Sequence, residues 1–238
     1  MTRLSIITIN YNNLEGLVRT CRSLTFIQKV SFEHVIIDGG SKDGSLDFLE
    51  KYKESSHYPC EIVSEKDRGI YDAFNKGLSL SKSNMVWFIN SGDTVLPGAL
   101  ECDWGLLEKN IILILQYMVS FRASKWVPKT PSLLCHQAII FPNENKIFYP
   151  DWKIYGDAKY IEQQFSTHKQ EIIMSSPVIE FEMGGISNTP SFKRLLICYS
   201  ELPTNKFFKE VVKFILNFVF GENIKTKFLL WLKYKRVS

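Results

Sequence analysis

Residues 35–45 read VIIDGGSKDGS, and this segment decides the fold. Its first three residues are apolar and predict a buried strand, which ends at Asp38 in a polar, glycine-rich turn. Asp67 and Asp93 follow two further apolar segments in the same way. In an open α/β sheet, ligands bind in the crevice outside the carboxyl ends of the strands. Because gathered carboxylates repel one another, the pattern predicts a divalent metal ion carrying a phosphate ester among them.

The first half of the chain alternates between strand and helix patterns. Apolar runs predict four strands, at Leu4–Ile9, Val35–Ile37, Glu61–Ser64 and Met85–Ile89. Helical spacing predicts helices that begin near Leu14, near Leu46 and at Ile70–Ser81, the first with Asn12 or Asn13 as its N-cap. This alternation predicts an α/β fold with a parallel, doubly wound sheet and right-handed crossovers.

The second half of the chain has weaker patterns. The apolar run at residues 106–117 fits either a helix or a strand. Strands are predicted at Ala138–Phe141 and Val178–Phe181, and a short helix is predicted at Gly156–Phe165. We find no internal repeat and no low-complexity linker in this half.

The composition changes at Pro203, where a domain of residues 1–203 gives way to a lysine-rich tail of residues 204–238. In the tail, Phe207–Phe220 predicts a mostly apolar helix with a narrow polar stripe, and Phe228–Leu232 forms a second apolar patch between lysines. Apolar residues interleaved with lysine are typical of a helix that lies in a membrane surface. The alternative is a pair of C-terminal helices packed on the domain.

The composition excludes several classes of protein. With 238 residues, 45% of them hydrophobic, the chain buries one substantial core. A net charge of +4 is too small to indicate a nucleic-acid partner. Five cysteines without CxxC spacing indicate reduced thiols rather than disulfides or a zinc site. We find no secretory signal and no apolar run of the roughly 18 residues that span a membrane, so we expect a cytoplasmic protein.

Each acid at the predicted sheet edge also has an ordinary structural role. Asp38 and Asp43 suit turns and helix caps, and Asp67 suits the first turn of a helix, where it stabilises the helix dipole. Asp93 fits a simple turn less well, because small and polar residues such as Gly92 precede it. These residues give a ligand room to approach the backbone.

Six short motifs occur in a fixed order along the chain. They are DGGSKDG at 38–44, DRGIYDAFNKG at 67–77, NSGD at 90–93, CHQA at 135–138, YGD at 155–157 and GGIS at 184–187. In order and spacing they resemble the family 2 glycosyltransferases of bacterial polysaccharide assembly, and most of all the group that builds colanic acid, capsule and O-antigen. The resemblance implies the GT-A fold, a nucleotide-sugar-binding domain with a mixed central sheet.

The resemblance also implies a site for a nucleotide-sugar donor. The residues that it assigns to this site are Thr8, Asn10, Tyr11, Asp38, Asp67, Arg68, Asp72, Asn75, Lys76, Gly92, His136 and Gln137. The loop after the first strand, together with Asp38, is expected to hold the base and ribose, while Asp67 contacts the base. His136 and Gln137 match a pair that lines the donor or acceptor site, and His136 also fits a core histidine.

Two further carboxylates are assigned to the chemistry by the resemblance. Asp93 matches the last acid of the metal-binding Asp-x-Asp signature and is expected to ligate Mn²⁺ or Mg²⁺. The first acid of that signature is replaced by Ser91, so one carboxylate remains, and Mg²⁺ is commonly held by one or two carboxylates plus substrate phosphates. Asp157 stands where the family has the general base that deprotonates the acceptor, although a first-turn helix acid is the structural alternative.

The leading interpretation is therefore an inverting, metal-dependent glycosyltransferase. It is expected to move one sugar from a nucleoside-diphosphate sugar, preferably a UDP-sugar, to a polyprenyl-diphosphate-linked acceptor in the synthesis of lipopolysaccharide O-antigen, capsule or exopolysaccharide. The tail would hold it on the inner face of the bacterial cytoplasmic membrane. One alternative is an inactive nucleotide-sugar-binding relative, because of Ser91. A nucleotidyltransferase would need a basic, glycine-rich loop after the first strand, which residues 11–16 are not.

Overall fold

The first half of the chain forms four parallel strands joined by three helices, as the alternation predicts. In chain order these are β1 (Leu4–Asn10), α1 (Leu14–Ser23), β2 (Phe32–Asp38), α2 (Ser45–Ser55), β3 (Cys60–Ser64), α3 (Ile70–Leu80) and β4 (Met85–Phe88). β1 pairs in parallel with β2 and β4, and β2 pairs in parallel with β3. This computed structural model describes residues 3–121, 124–128, 136–143, 149, 155–173, 176–182 and 234–237.

The second half adds shorter elements. They are β5 (Thr94–Val95), β6 (Ile112–Leu115), β7 (Tyr117–Phe121), β8 (Ser124–Pro128), β9 (Ile139–Pro142), α4 (Gly156–Thr167), β10 (Gln170–Ile173), β11 (Ile179–Glu182) and β12 (Tyr234–Val237). A 3₁₀ helix, His136–Ala138, precedes β9. The apolar run at 106–117 is divided between the 3₁₀ helix Trp104–Lys109 and two strands, and the strands near 138 and 178 and the helix at 156 are confirmed.

The larger of two sheets in the described residues carries the predicted site. Its seven strands have the order β10-β6-β9-β4-β1-β2-β3. β9 runs antiparallel to both neighbours, β4 and β6, whereas β10 is parallel to β6. The sheet is therefore mixed, as the resemblance implied. Because β9 is reversed, the chain enters it at the edge where β1 to β4 end.

The larger sheet buries an apolar cluster on each face. Alternate side chains of β1 point to opposite faces, so Ile6 packs in the cluster of Trp87 while Ile7 packs in that of Phe74 on α3. Helix α3 lies very close to β1, and the contact occurs at Gly77. A Cβ atom added there would be 2.4 Å from Cγ2 of Ile7, so a larger residue would push the helix away from the strand. This close packing fixes the position of α3, and with it the loop that leads from β3 into α3.

The tail prediction is corrected at its last residues. Tyr234–Val237, the described part of residues 204–238, forms strand β12, which pairs antiparallel with β8 in a second sheet of order β12-β8-β7-β11-β5. The sequence predicted a helical tail, but pairing satisfies backbone groups that β8 would otherwise present at a sheet edge. Residues 204–233, which include both apolar patches, lie outside the described residues. None of the described helices is long and apolar enough to span a bilayer.

Candidate functional site

The predicted site residues follow consecutive strands along one edge of the larger sheet. Asp67 comes after β3, Asp38 ends β2, Asn10 ends β1 and Asp93 comes after β4. His136 precedes the reversed strand β9 and so joins the same edge. The topology thus brings together residues from both halves of the chain at the position where α/β sheets bind ligands.

Asp38 organises the loop after β2. Its side chain is fully buried and accepts hydrogen bonds from Asn10 Nδ2 at 2.8 Å, Ser41 Oγ at 2.6 Å and Ser64 Oγ at 2.8 Å. The backbone N–H groups of Gly40 and Ser41 also donate to Oδ2. Burial acts to raise the pKa of Asp38, but these hydrogen bonds outweigh it and hold the pKa below its usual value. The carboxylate predicted to bind the nucleotide is thus engaged within the protein and shapes the loop.

Tyr11 and Asp67 both lie close to Gly39. The Tyr11 residue is 67% exposed. A Cβ atom added at Gly39 would lie 3.0 Å from Cδ2 of Tyr11 and 3.2 Å from Oδ2 of Asp67. Glycine therefore lets an exposed aromatic ring and a carboxylate oxygen both lie against the backbone at this position, and the ring and the oxygen are two groups whose chemistry suits a nucleobase.

Lys76 on α3 holds Asp67 in place. Its Nζ lies 2.6 Å from Oδ1 of Asp67, 2.8 Å from Glu65 and 3.5 Å from Asp72. Partial burial acts to lower the pKa of Lys76, but the hydrogen bonds and charges of Asp67 and Glu65 outweigh it and raise the pKa. Lys76 therefore bridges three acids and offsets part of their negative charge. The sequence assigned it to donor binding, and that contact stays a prediction.

Asp72 and Asn75, two other residues assigned to the donor site, make hydrogen bonds within the protein, to Arg68 and to the backbone of Tyr149 respectively. Asp72 accepts hydrogen bonds from the Arg68 backbone N–H at 3.1 Å and from the Arg68 guanidinium at 2.9 Å. The Arg68 side chain is 90% exposed. Asn75 pairs with the backbone of Tyr149, donating to its carbonyl at 3.1 Å and accepting from its N–H at 2.8 Å. Their contacts with a donor stay a prediction.

Thr8 lies inside the sheet, short of the edge. Its buried hydroxyl donates a hydrogen bond of 2.7 Å to the carbonyl of Ile89. It therefore accepts from Nε2 of His34 at 2.9 Å, which leaves Nδ1 of His34 to accept from the Tyr52 hydroxyl at 3.0 Å. Burial lowers the pKa of His34 to about 3, so the ring is neutral, as this pattern requires. The hydroxyl assigned to the donor is occupied within the protein.

The loop at residues 90–93 presents a single carboxylate. Asp93 is 6% exposed, and its Oδ2 accepts a hydrogen bond of 2.8 Å from the backbone N–H of Asn90. Gly92 has a φ of 108°, a conformation that favours glycine. Ser91, at the position of the first signature acid, accepts a hydrogen bond of 2.9 Å at Oγ from Asn13 Nδ2.

This loop and the end of β1 carry oxygen atoms of the kind that a divalent metal ion takes as ligands. Among the described residues, no three His, Cys, Asp or Glu side chains come together to hold a metal ion. The amide oxygens of Asn10 and Asn90, at the ends of adjacent strands, are buried without a hydrogen-bond partner in the described part of the chain. Carboxylate and amide oxygens are donor types that Mg²⁺ and Mn²⁺ accept, and such an ion would take its other ligands from water and a diphosphate.

Asp157 lies at the start of α4 beside two side chains that stabilise its charge. The Tyr71 hydroxyl donates to Oδ1 at 3.3 Å, and Nδ1 of His136 lies 3.9 Å from Oδ2. Burial acts to raise the pKa of Asp157, but His136, the Ala158 backbone N–H and Tyr71 outweigh it and hold the pKa below its usual value. The side chain remains 38% exposed, so an ionised carboxylate is accessible to a ligand.

The sequence assigned Gln137 to the donor site but gave no role to Tyr71, which lies beside Asp157. The Gln137 carbonyl accepts a hydrogen bond of 2.7 Å from Trp87 Nε1, which ties the turn before β9 to β4. Tyr71 was not among the predicted site residues. A Cβ atom added at Gly156 would lie 2.8 Å from the Tyr71 ring, so the glycine before Asp157 was the available signal that a side chain packs there.

Residues 5–160 match the family model described as glycosyl transferase family 2. The chain is 38% identical over 90 residues to an uncharacterized glycosyltransferase of Mycobacterium tuberculosis strain H37Rv, an alignment that covers 37% of this chain and 33% of that protein. It is 33% identical over 64 residues to a PGL/p-HBAD biosynthesis glycosyltransferase of Mycobacterium bovis BCG, covering 27% of this chain and 25% of that protein. The chain thus spans about a third of the length of the curated relatives that it matches first.

Two solved structures share the fold. Staphylococcus aureus TarS 1-349 in complex with UDP-GlcNAc has a TM-score of 0.64 at 16% identity, over 93% of this chain and 74% of that chain. The mannosyltransferase PcManGT from Pyrobaculum calidifontis, in complex with GDP-Man and Mn²⁺, has a TM-score of 0.58 at 13% identity, over 89% of this chain and 64% of that chain. At these identities the likeness establishes the fold, which is the GT-A fold that the motifs implied. Together with the family model, it leads to one conclusion: the chain belongs to glycosyl transferase family 2.

Proposed function

We propose that this protein transfers one sugar from a nucleoside-diphosphate sugar to an acceptor hydroxyl, with inversion at the anomeric carbon. The observation that carries the proposal is the single sheet edge that Asp67, Asp93 and His136 share, with Asp157 beside His136. A base-binding end, a phosphate-binding loop and an ionised carboxylate are the three parts that such a transfer needs.

The base-binding end supports a UDP-sugar as the donor. The exposed Tyr11 ring offers a face on which a base stacks, and Oδ2 of Asp67 is an acceptor for the imide N–H of uracil. Cytosine presents an acceptor at the corresponding ring nitrogen, so the carboxylate disfavours a CMP-sugar. The TarS complex contains UDP-GlcNAc, which further supports a UDP-sugar as the first choice.

The transfer step itself is a displacement. The acceptor oxygen attacks the anomeric carbon and a new C–O bond forms, while the bond to the diphosphate oxygen breaks and the nucleoside diphosphate leaves with its electron pair. Asp157 takes the proton of the acceptor hydroxyl, and a well-placed general base contributes typically ~10²–10⁴-fold to the rate. Because attack and departure occur on opposite faces of the sugar, the anomeric configuration inverts.

Asp93 would hold Mn²⁺ or Mg²⁺ jointly with the diphosphate of the donor. Such an ion, when bound, acts as a Lewis acid and offsets the negative charge of the leaving group. The backbone N–H of Asn90 fixes one oxygen of Asp93, so the carboxylate is already oriented before a ligand arrives.

The acceptor that we propose is a polyprenyl-diphosphate-linked saccharide in the synthesis of bacterial surface polysaccharide. Its support is the lysine-rich tail of residues 204–238, which suits binding to the anionic inner face of the cytoplasmic membrane. The name of the PGL/p-HBAD biosynthesis relative also links a glycosyltransferase similar to this chain to a biosynthetic pathway.

The test is binding and turnover of UDP-, GDP-, dTDP- and CMP-sugars by the purified full chain, with and without Mn²⁺. A ligand at about 100 times its Kd stabilises by roughly 2.7 kcal/mol, which is a shift of about 5–10 °C in Tm for a domain of this size. We expect a metal-dependent shift with UDP and slow hydrolysis of one UDP-sugar. Asp157→Asn should keep the shift and lose turnover. No shift with any nucleotide would contradict the proposal.

A catalytically inactive nucleotide-sugar-binding relative is the second candidate. Ser91 replaces the first signature acid, and its hydroxyl is already engaged by Asn13. This candidate predicts a nucleotide-dependent Tm shift without turnover of any donor, even when a lipid extract supplies acceptors.

A further inference from the structure

The ring of His136 is held rigidly in the wall of the site. It makes edge-to-face contacts with Phe74 on α3, with centroids 5.3 Å apart and an interplanar angle of 84°, and with Phe88 on β4, at 5.9 Å and 77°. His136 is 6% exposed. The ring therefore cannot turn toward a donor without disturbing two core aromatic residues, and its two nitrogens have fixed directions.

The two nitrogens of His136 have different surroundings. Nδ1 lies 3.9 Å from Oδ2 of Asp157, whereas Nε2 is buried without a hydrogen-bond partner in the described part of the chain. Buried N–H groups without partners are rarer than buried acceptors without partners. The arrangement therefore favours a proton on Nδ1, where it points to the carboxylate, over a proton on Nε2, which has no acceptor in the described part of the chain.

We propose that His136 is a positioning residue for Asp157, directing an Nδ1–H at Oδ2 while the Tyr71 hydroxyl donates to Oδ1. This inference rests on the proposed function, in which Asp157 is the general base, and it replaces the expectation that His136 contacts the donor. With a side-chain donor at each oxygen and the Ala158 backbone N–H as a third donor, the carboxylate stays ionised and in one orientation.

The distance of 3.9 Å is longer than a hydrogen bond. Catalytic hydrogen bonds are often long before substrate binds and shorten in the complex. The other described groups that face Asp157 are the Tyr71 hydroxyl, the Ala158 backbone N–H and, through space, the Tyr149 hydroxyl. Of these side chains, His136 alone adds a ring nitrogen that can carry either a proton or a lone pair, which makes its tautomer the feature to measure.

The first arm of the test needs no substrate. ¹⁵N-labelled histidine distinguishes the two tautomers by the shifts of the ring nitrogens, and four histidines give few enough signals to assign by comparison with His136→Asn. We expect the Nδ1–H tautomer in the wild-type protein and a loss of that preference in Asp157→Asn. An Nε2–H tautomer in the wild-type protein would overturn the proposal, whether or not the chain is a transferase.

The second arm is kinetic and uses turnover of the accepted UDP-sugar. His136→Leu removes the hydrogen-bond donor and keeps a side chain of similar size, while His136→Asn keeps an N–H at the position of Nδ1. We expect kcat to fall about tenfold or more in His136→Leu, with an unchanged KM for the UDP-sugar. Part of the lost kcat should return in His136→Asn. The control His57→Asn, at an exposed residue, should leave kcat unchanged. The acidic limb of the kcat profile should move to higher pH in His136→Leu. A higher donor KM with unchanged kcat would overturn the proposal and return His136 to donor binding.

Discussion

Nζ of Lys76 lies 2.6 Å from Oδ1 of Asp67, and this contact leaves Oδ2 as the oxygen that faces Gly39 on the side of Tyr11. Lys76 is also 2.8 Å from Glu65 and 3.5 Å from Asp72. One ammonium group therefore orients the carboxylate that we propose for base recognition, and it reduces the repulsion among three acids.

Lys76→Met should weaken UDP binding about tenfold or more, a loss of about 1.4 kcal/mol. Without the ammonium group, Glu65, Asp67 and Asp72 repel one another, and Asp67 no longer holds its orientation. Isothermal titration calorimetry with UDP measures the change, and Lys51→Met on the exposed side of α2 is the control. Equal UDP affinities in the two variants would show that the contact of Lys76 with Asp67 has no part in UDP binding.

Asp93→Asn should remove the metal-dependent part of diphosphate binding. The amide has no negative charge to share with the diphosphate around an ion, although it keeps an oxygen that accepts from the Asn90 N–H. Binding of UDP with and without Mn²⁺ measures the effect, and uridine, which lacks the phosphates, should bind the variant and the wild type alike. A full Mn²⁺ effect in the variant would refute Asp93 as a ligand.

Asp38→Asn should destabilise the fold by about 1–3 kcal/mol at pH 7, because the buried carboxylate loses charge-assisted hydrogen bonds. The pKa of Asp38 is lowered in the folded state. Its contribution to stability is therefore present above the unfolded pKa of about 4 and is lost as pH falls through the folded pKa. Urea unfolding at pH 7 and pH 3 checks this, and the difference between wild type and variant should shrink at the lower pH.

Thr8→Val should cost about 1–3 kcal/mol, because it leaves Nε2–H of His34 and the Ile89 carbonyl without partners inside the sheet. Thr8→Ser keeps the hydroxyl and is the matched variant. If the loss of the hydroxyl affects folding only, UDP affinity per folded molecule should be the same in both variants. A selective loss of affinity in Thr8→Val would restore the donor-binding role that the sequence assigned.

Lys225→Gln combined with Lys227→Gln should weaken binding to anionic vesicles. Each lysine near such a surface contributes about 1 kcal/mol, so the pair should lower affinity about thirtyfold. Co-sedimentation with vesicles of phosphatidylglycerol measures this, with Lys51→Gln and Lys53→Gln as the matched double control outside the tail. An equal loss of vesicle affinity in the two double variants would indicate a general charge effect and contradict a membrane-binding tail.

The sequence predicted the first half of the fold well because its signals are local. Apolar runs that stop at Asp38 and at Asn90 define β2 and β4. Asn13 caps α1 by accepting a hydrogen bond from the Gly16 N–H, and Asp43 forms the predicted turn by accepting from Ser45. The residues along the sheet edge were likewise predictable, because parallel strands bring their carboxyl ends together.

The remaining features depend on contacts that are distant in sequence. Gln116 alone separates β6 in one sheet from β7 in the other, and no local pattern indicates that change of sheet. The pairing of β12 with β8 and the packing of Tyr71 against Gly156 are non-local in the same way. The hydrogen bond between Thr8 and His34 on the neighbouring strand is also non-local, and the sequence of β1 alone does not predict it.

The reversed strand β9 has a consequence for the order in which the protein folds. Its partners in β4 are far away in sequence, since Met85 pairs with Pro142, whereas β1 to β4 are linked by short helical connections. Local contacts form faster than distant ones, and an N-terminal segment emerges first during synthesis. We therefore expect the nucleotide end of the site to form early in folding, and the end that holds Asp157 to be completed after the chain has returned to the sheet.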